Sequence, residues 1–146
     1  REENHGYTQV FRNGCIEATK ASLVRENNGR AEIPGLGIER ELFDRIPQYI
    51  DALRGIGVPP PLIAMISFEG VHGAIYTTLD ARFRDDDQPL TGDTLRLPEC
   101  LIEDYGERID YHRSLRPAFD ALWNACGYAR SLVFDQNGLW VGQVNR

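Results

Sequence analysis

Seven residues, Leu62-Ile63-Ala64-Met65-Ile66-Ser67-Phe68, constrain this chain more than any other stretch. They are almost wholly apolar, with Pro59-Pro60-Pro61 before them and Glu69-Gly70 after them. A half-buried strand would show a polar residue at every second position, and none comes until Ser67. A run this short, apolar throughout and bounded by breakers, reads as a central strand covered on both faces. The remaining segments must then supply a layer on each side of it.

Two helices are predicted to do so. From Ile38 to Arg54, the residues Ile38, Leu42, Phe43, Ile46, Tyr49, Ile50 and Leu53 recur at helical spacing, and Gly55 and Gly57 supply the stop. Pro47 falls inside this pattern, and the uninterrupted face favours one helix over two. From Asp110 to Cys126, the face is Leu115, Phe119, Leu122, Trp123 and Cys126, with Gly127 beyond it.

Other segments read as strands and turns. Asn13-Gly14 between apolar flanks signals a hairpin over Tyr7 to Leu23. Residues 25 to 30 form a polar turn before a short strand at Ala31-Glu32-Ile33. Ala74 to Leu79 reads as a strand returning antiparallel to the central one. Thr94 to Tyr105 alternates in part, with Pro98 as a bulge or strand start. Asp80 to Asp93 reads as a solvated loop, and Val133 to Val141 as a terminal hairpin about Asp135-Gln136-Asn137-Gly138. The order implies an α+β fold: an antiparallel or mixed sheet around residues 62–68, with main helices at about 38–54 and 110–126.

The chain has 146 residues, which is the size of one domain able to bury a core without metal or disulfide. Its net charge of −6 argues against nucleic-acid binding through this domain alone. Three widely spaced cysteines, Cys15, Cys100 and Cys126, fit neither a disulfide framework nor a zinc site, and reduced thiols in the cytoplasm are expected. No apolar stretch is long enough for a membrane span. Met65 is the single methionine, so we expect the chain to be part of a longer protein.

No phosphate loop, dinucleotide fingerprint, zinc-protease helix or nucleophile elbow occurs. Neither a cofactor nor a metal is implied. The candidate acid-base pair is Glu69 and His72, in a glycine-bounded turn at the exit of the central strand. A polar hairpin loop is the plainer reading of that turn. Glu17 and Lys20 stand three apart, so on a strand they face opposite sides and do not form a nuclease acid-lysine pair. Glu99, Glu103 and Asp104 flank the third main strand and read as solvated acids. His5 and His112 are expected at the surface. Arg82 and Arg84, with Arg25, Arg30 and Arg130, are the candidate nucleic-acid contacts. Tyr49, Tyr76, Phe119 and Trp123 read as core.

Three stretches carry a resemblance: residues 9–18 (QVFRNGCIEA), 41–49 (ELFDRIPQY) and 115–128 (LRPAFDALWNACGY). In this order they resemble the C-terminal region of bacterial proteins with an N-terminal Schlafen-type, AlbA-like DNA-binding domain, often labelled helix-turn-helix or ATP-binding. The resemblance runs from about Tyr7 to Asn137 and brings no catalytic residue with it. It implies an AlbA-like domain upstream in the same chain as a partner. The expected function is a non-catalytic accessory domain for interaction, self-association (a homo-oligomer) or sensing. The alternative is a metal-assisted hydrolase or nuclease-like enzyme using Glu69 and His72.

Overall fold

The computed structural model describes residues 6–78 and 88–143. Arg82 and Arg84, the acidic run 85–87 and His5 lie outside the described residues. The fold is α+β, with two helices and several small antiparallel or mixed sheets. Strands β1 (Gly6–Val10) and β2 (Ile16–Lys20) form the expected hairpin, with Val10 opposite Ile16. Strands β3 (Arg25–Asn27) and β4 (Arg30–Ile33) form a second hairpin where a polar turn and one short strand were expected. Asn28 (φ 50°) and Gly29 (φ 77°) make that turn, as two residues tolerant of positive φ should.

Helix α1 runs unbroken from Gly35 to Gly55, with Pro47 inside it. Its start is tied to strand β7 (Ile75–Tyr76). The Gly35 N–H donates to Thr77 O at 3.1 Å, and the Thr77 N–H donates to Ile33 O at 2.9 Å. Residue 35 must be glycine-sized, because a Cβ there would stand 2.3 Å from Tyr76 Cε1. Strand β7 pairs with β4 in parallel, Glu32 opposite Ile75 and Ile33 opposite Tyr76. It does not return beside residues 62–68, as its place in the chain implied.

Residues 62–68 are the main correction. They form β5 (Leu62–Ala64) and β6 (Ser67–Glu69), paired antiparallel with β9 (Cys100–Ile102) and β8 (Thr94–Arg96) respectively. Between the two pairings, the first strand advances three residues from Ala64 to Ser67. Its partner advances four, from Arg96 to Cys100. The extra residue is a β-bulge at Leu97-Pro98-Glu99, joined across by Leu97 N–H to Ile66 O at 3.0 Å. Proline at a bulge removes no ladder bond.

Among the described residues, this two-stranded ribbon is covered on one face only. Burial alternates from Pro61 to Phe68, and Ile63 (59% exposed) and Met65 (73%) face outward while Phe68 (3%) is buried. The run is therefore not a central strand packed on both sides. Its outward positions carry apolar side chains for which the described residues supply no layer.

Helix α2 (Arg108–Ala125) closes the other side of the core. It starts ahead of the expected Asp110, where the Asp110 carboxylate accepts from the Glu107 N–H at 2.8 Å. Its apolar face, Leu115, Phe119, Leu122 and Trp123, is buried with Ile33, Phe43 and Tyr76. The tail forms a minimal hairpin, in which Phe134 bridges Trp140 and the Asp135 N–H donates to Leu139 O at 2.8 Å. Leu90, within the segment read as solvated loop, is buried in the same core. No helix among the described residues is long and apolar enough to cross a membrane.

Candidate functional site

Two places concentrate the chemistry that the sequence left open. One is inside, at Glu39. The other is the outward face of the bulged ribbon.

Glu39 lies on the first turns of α1 and is wholly buried. It stands three residues before Leu42 and four before Phe43, in the register of the helix's apolar stripe. Three donors converge on its carboxyl group. The Tyr76 hydroxyl and the Trp123 indole N–H reach Oε1 at 2.8 and 2.7 Å, and the Trp140 indole N–H reaches Oε2 at 2.7 Å. Burial pushes the Glu39 carboxyl upward, against the opposing pull of these three bonds. The same burial, with the Glu39 charge beside it, pushes the Tyr76 phenol well up.

The Tyr76 hydroxyl has one proton and a second acceptor, Gly35 O, at 3.0 Å. With Glu39 ionised, that proton goes to the carboxylate. With Glu39 protonated, the carboxyl donates to Tyr76 Oη and the phenol turns its proton to Gly35. Both states are fully bonded. The node joins α1, β7, α2 and the tail, and both carboxyl oxygens of Glu39 are engaged in it.

His112 is the second buried polar group, at 1% exposure, and not the surface residue expected. Its ring lies 4.5 Å from that of Phe43, and its Nδ1 accepts the Trp140 backbone N–H at 2.9 Å. That bond places the neutral ring's proton on Nε2, which has no partner among the described residues. Burial first, then the charge of Arg108, lowers its pKa to about 4. The helical spacing of Tyr111, Leu115, Ala118 and Phe119 gave no warning, because a histidine beside a buried face reads equally well as a boundary residue.

The candidate pair Glu69 and His72 sits at the exit of β6. Both side chains are exposed. The His72 Nδ1 is engaged at 2.8 Å by Thr91 O, so the imidazole donates to the backbone of the neighbouring loop. No described interaction joins it to Glu69. The turn itself is held by Val71 N–H to Asp93 O (3.0 Å) and Gly73 N–H to Leu90 O (2.7 Å). Among the described residues, no group of three or more His, Cys, Asp or Glu side chains could hold a metal ion.

Arg25 and Arg30 stand on one face of the β3–β4 hairpin, with Glu32 opposite Arg25. A cleft of about 250 Å³ lies between Lys20, Arg25 and the first turn of α1 at Pro34, Gly37 and Ile38. Lys20 is ion-paired with Glu41 there.

The ribbon's outward face runs through Pro61, Ile63, Met65, Ser67 and Glu69 on one strand. Thr94, Arg96, Glu99, Leu101 and Glu103 are exposed on the other. Ile63 stands directly opposite Leu101, which is 50% exposed, and Ser67 stands opposite Arg96. The face therefore has an apolar centre at Ile63, Met65 and Leu101. Glu99 and Glu103 flank Leu101, Glu69 lies farther along the same face beyond the Ser67–Arg96 pair, and none of the three makes an ion pair among the described residues. Sequence reasoning found Glu69 but assigned it to the turn rather than to this face. The signal was the unbroken apolar run itself, which burial and binding both explain.

No known protein family, no curated protein and no solved structure matches this chain.

Proposed function

We propose that this chain is a non-catalytic accessory domain that works by binding another protein surface. In this reading it is the C-terminal part of a cytoplasmic bacterial DNA-binding regulator whose AlbA-like domain lies upstream. One observation supports the binding role most directly. Ile63, Met65 and Leu101 form a contiguous outward patch on a bulged ribbon. Apolar groups clustered this way on a folded surface mark interaction sites more often than solitary exposed residues do. The interior adds to this reading, since the carboxyl of Glu39 is occupied by three structural donors.

A photocrosslinking amino acid placed at residue 63 in cells should give a discrete protein adduct, while the same group at the exposed Arg45 should not. The purified domain, incubated with Mg²⁺ or Mn²⁺ and either oligonucleotides or nucleoside triphosphates, should leave them intact. Turnover that Glu69→Gln or His72→Ala removes would instead establish the enzyme.

A further inference from the structure

The outward face of the ribbon has a second property besides being apolar, and that property narrows what can cover it. Its centre is Ile63, Met65 and Leu101. Its charged positions are Glu69, Glu99 and Glu103 against the single guanidinium of Arg96. Glu99 and Glu103 stand two residues to either side of Leu101 along the chain and are exposed with it, so these carboxylates border the apolar centre. They are not neutralised within the described structure.

We propose that this face docks a cationic, apolar segment of a partner protein, with Arg or Lys side chains flanking aliphatic or aromatic residues. The proposal rests on the interaction role given above and adds the chemistry of the partner.

Apolar surface, charge and side-chain shape together select this occupant. Covering Ile63, Met65 and Leu101 removes apolar surface from water, which favours association with any apolar partner. Three unpaired carboxylates at the rim then discriminate among such partners, because like charges brought to the same rim are repelled and opposite charges are steered in. Arginine suits this rim best, since its guanidinium can pair with a carboxylate in bidentate fashion while its stem lies on the apolar centre. The same carboxylates repel a phosphate backbone. They also count against a second copy of this chain, whose net charge is −6 and whose matching face is equally acidic. The patch is small, so the contact belongs to the weak, salt-sensitive class of protein interfaces.

The test uses two synthetic peptides of equal length and apolar content, one bearing arginines and one bearing glutamates, titrated into the ¹⁵N-labelled domain. The arginine peptide should shift backbone amides within residues 61–69 and 94–103 and bind at least about tenfold tighter than the glutamate peptide. The double variant Glu99→Lys, Glu103→Lys should reverse that preference. Glu26→Lys with Glu32→Lys, on the distant hairpin, should leave it unchanged. Ile63→Ser with Leu101→Ser should weaken binding of both peptides.

A preference that survives charge reversal at Glu99 and Glu103 would overturn the cationic partner and leave an apolar docking role standing. Perturbations spread over the whole surface, and unchanged in the Ile63→Ser, Leu101→Ser variant, would sink both readings. Concentration-dependent dimerisation by light scattering that Ile63→Ser removes would identify a second copy as the occupant. Binding of an oligonucleotide at this face would identify nucleic acid instead. Either result overturns the cationic segment.

Discussion

Glu39 and Ile63 have exchanged their ordinary places. The carboxylate is wholly buried, and the isoleucine is 59% exposed on a strand. Each is tolerated for its own reason. Glu39 is stable inside because three N–H and O–H groups, from three separate elements, meet it at 2.7 to 2.8 Å. A buried acceptor without them would cost several kcal/mol, on the order of 1–3 for each bond left unmade. Ile63 is tolerated outside because nothing is violated by an exposed apolar group, which merely forgoes burial. The comparison separates a polar group built into the architecture from an apolar group that the architecture leaves available. Stability should respond to the first and binding to the second.

The sharpest way to break this contrast is Glu39→Ala. It strands the indole N–H groups of Trp123 and Trp140 in the core, while the Tyr76 hydroxyl keeps Gly35 O as an acceptor, and should cost roughly 4 kcal/mol, read from urea unfolding. Glu39→Gln should cost about half of that, since its carbonyl still accepts but its NH₂ faces an indole donor. A loss under about 1 kcal/mol for the alanine variant would mean that the node is not structural.

His112 gives the next effect, through pH. Its folded pKa of about 4 lies below the ordinary 6.5, so the unfolded chain takes up the proton first as pH falls. The contribution of the neutral ring is complete above 6.5, declines between 6.5 and 4, and levels off below that. The total loss should be on the order of 3 kcal/mol. His112→Asn, whose side-chain carbonyl can still accept from Trp140, should lose that part of the pH dependence in parallel denaturant titrations. Glu39 has the opposite sign: its raised pKa means that stability is withdrawn as pH rises through the folded value.

A smaller effect belongs to Gly35. Gly35→Ala sets a methyl group 2.3 Å from the Tyr76 ring, displacing the phenol that bonds Glu39. A loss of about 2 kcal/mol by thermal unfolding is expected. Smallest of all, Ile63→Ser and Leu101→Ser should each change stability by no more than about 0.5 kcal/mol, measured the same way. A larger loss at either position would show that the ribbon's outer face is covered in the folded chain, and the contrast with Glu39 would disappear.

Much of the fold was legible in the chain. The Asn13-Gly14 turn has two conformationally permissive residues between apolar flanks and forms the hairpin expected of it. Both helices follow from 3.6-residue spacing, and Pro98 marks a bulge. The site was less legible. Glu39 carried a local signal, a charge in register with Leu42 and Phe43, but its partners lie 37, 84 and 101 residues away in sequence. No local pattern announces a convergence over such distances. His112 likewise depends on Trp140, which arrives from the tail.

By itself, then, the sequence determined where the chain turns, which segments wind into helices and that strands and helices would pack as α+β. Those features follow from backbone sterics and side-chain periodicity, which act over a few residues. Tertiary structure alone decided which face of each apolar segment is covered. The run from Leu62 to Phe68 shows why. Apolar character records what a side chain would gain by leaving water, but whether Ile63 and Met65 do so depends on a layer that residues elsewhere must provide, and among the described residues none does.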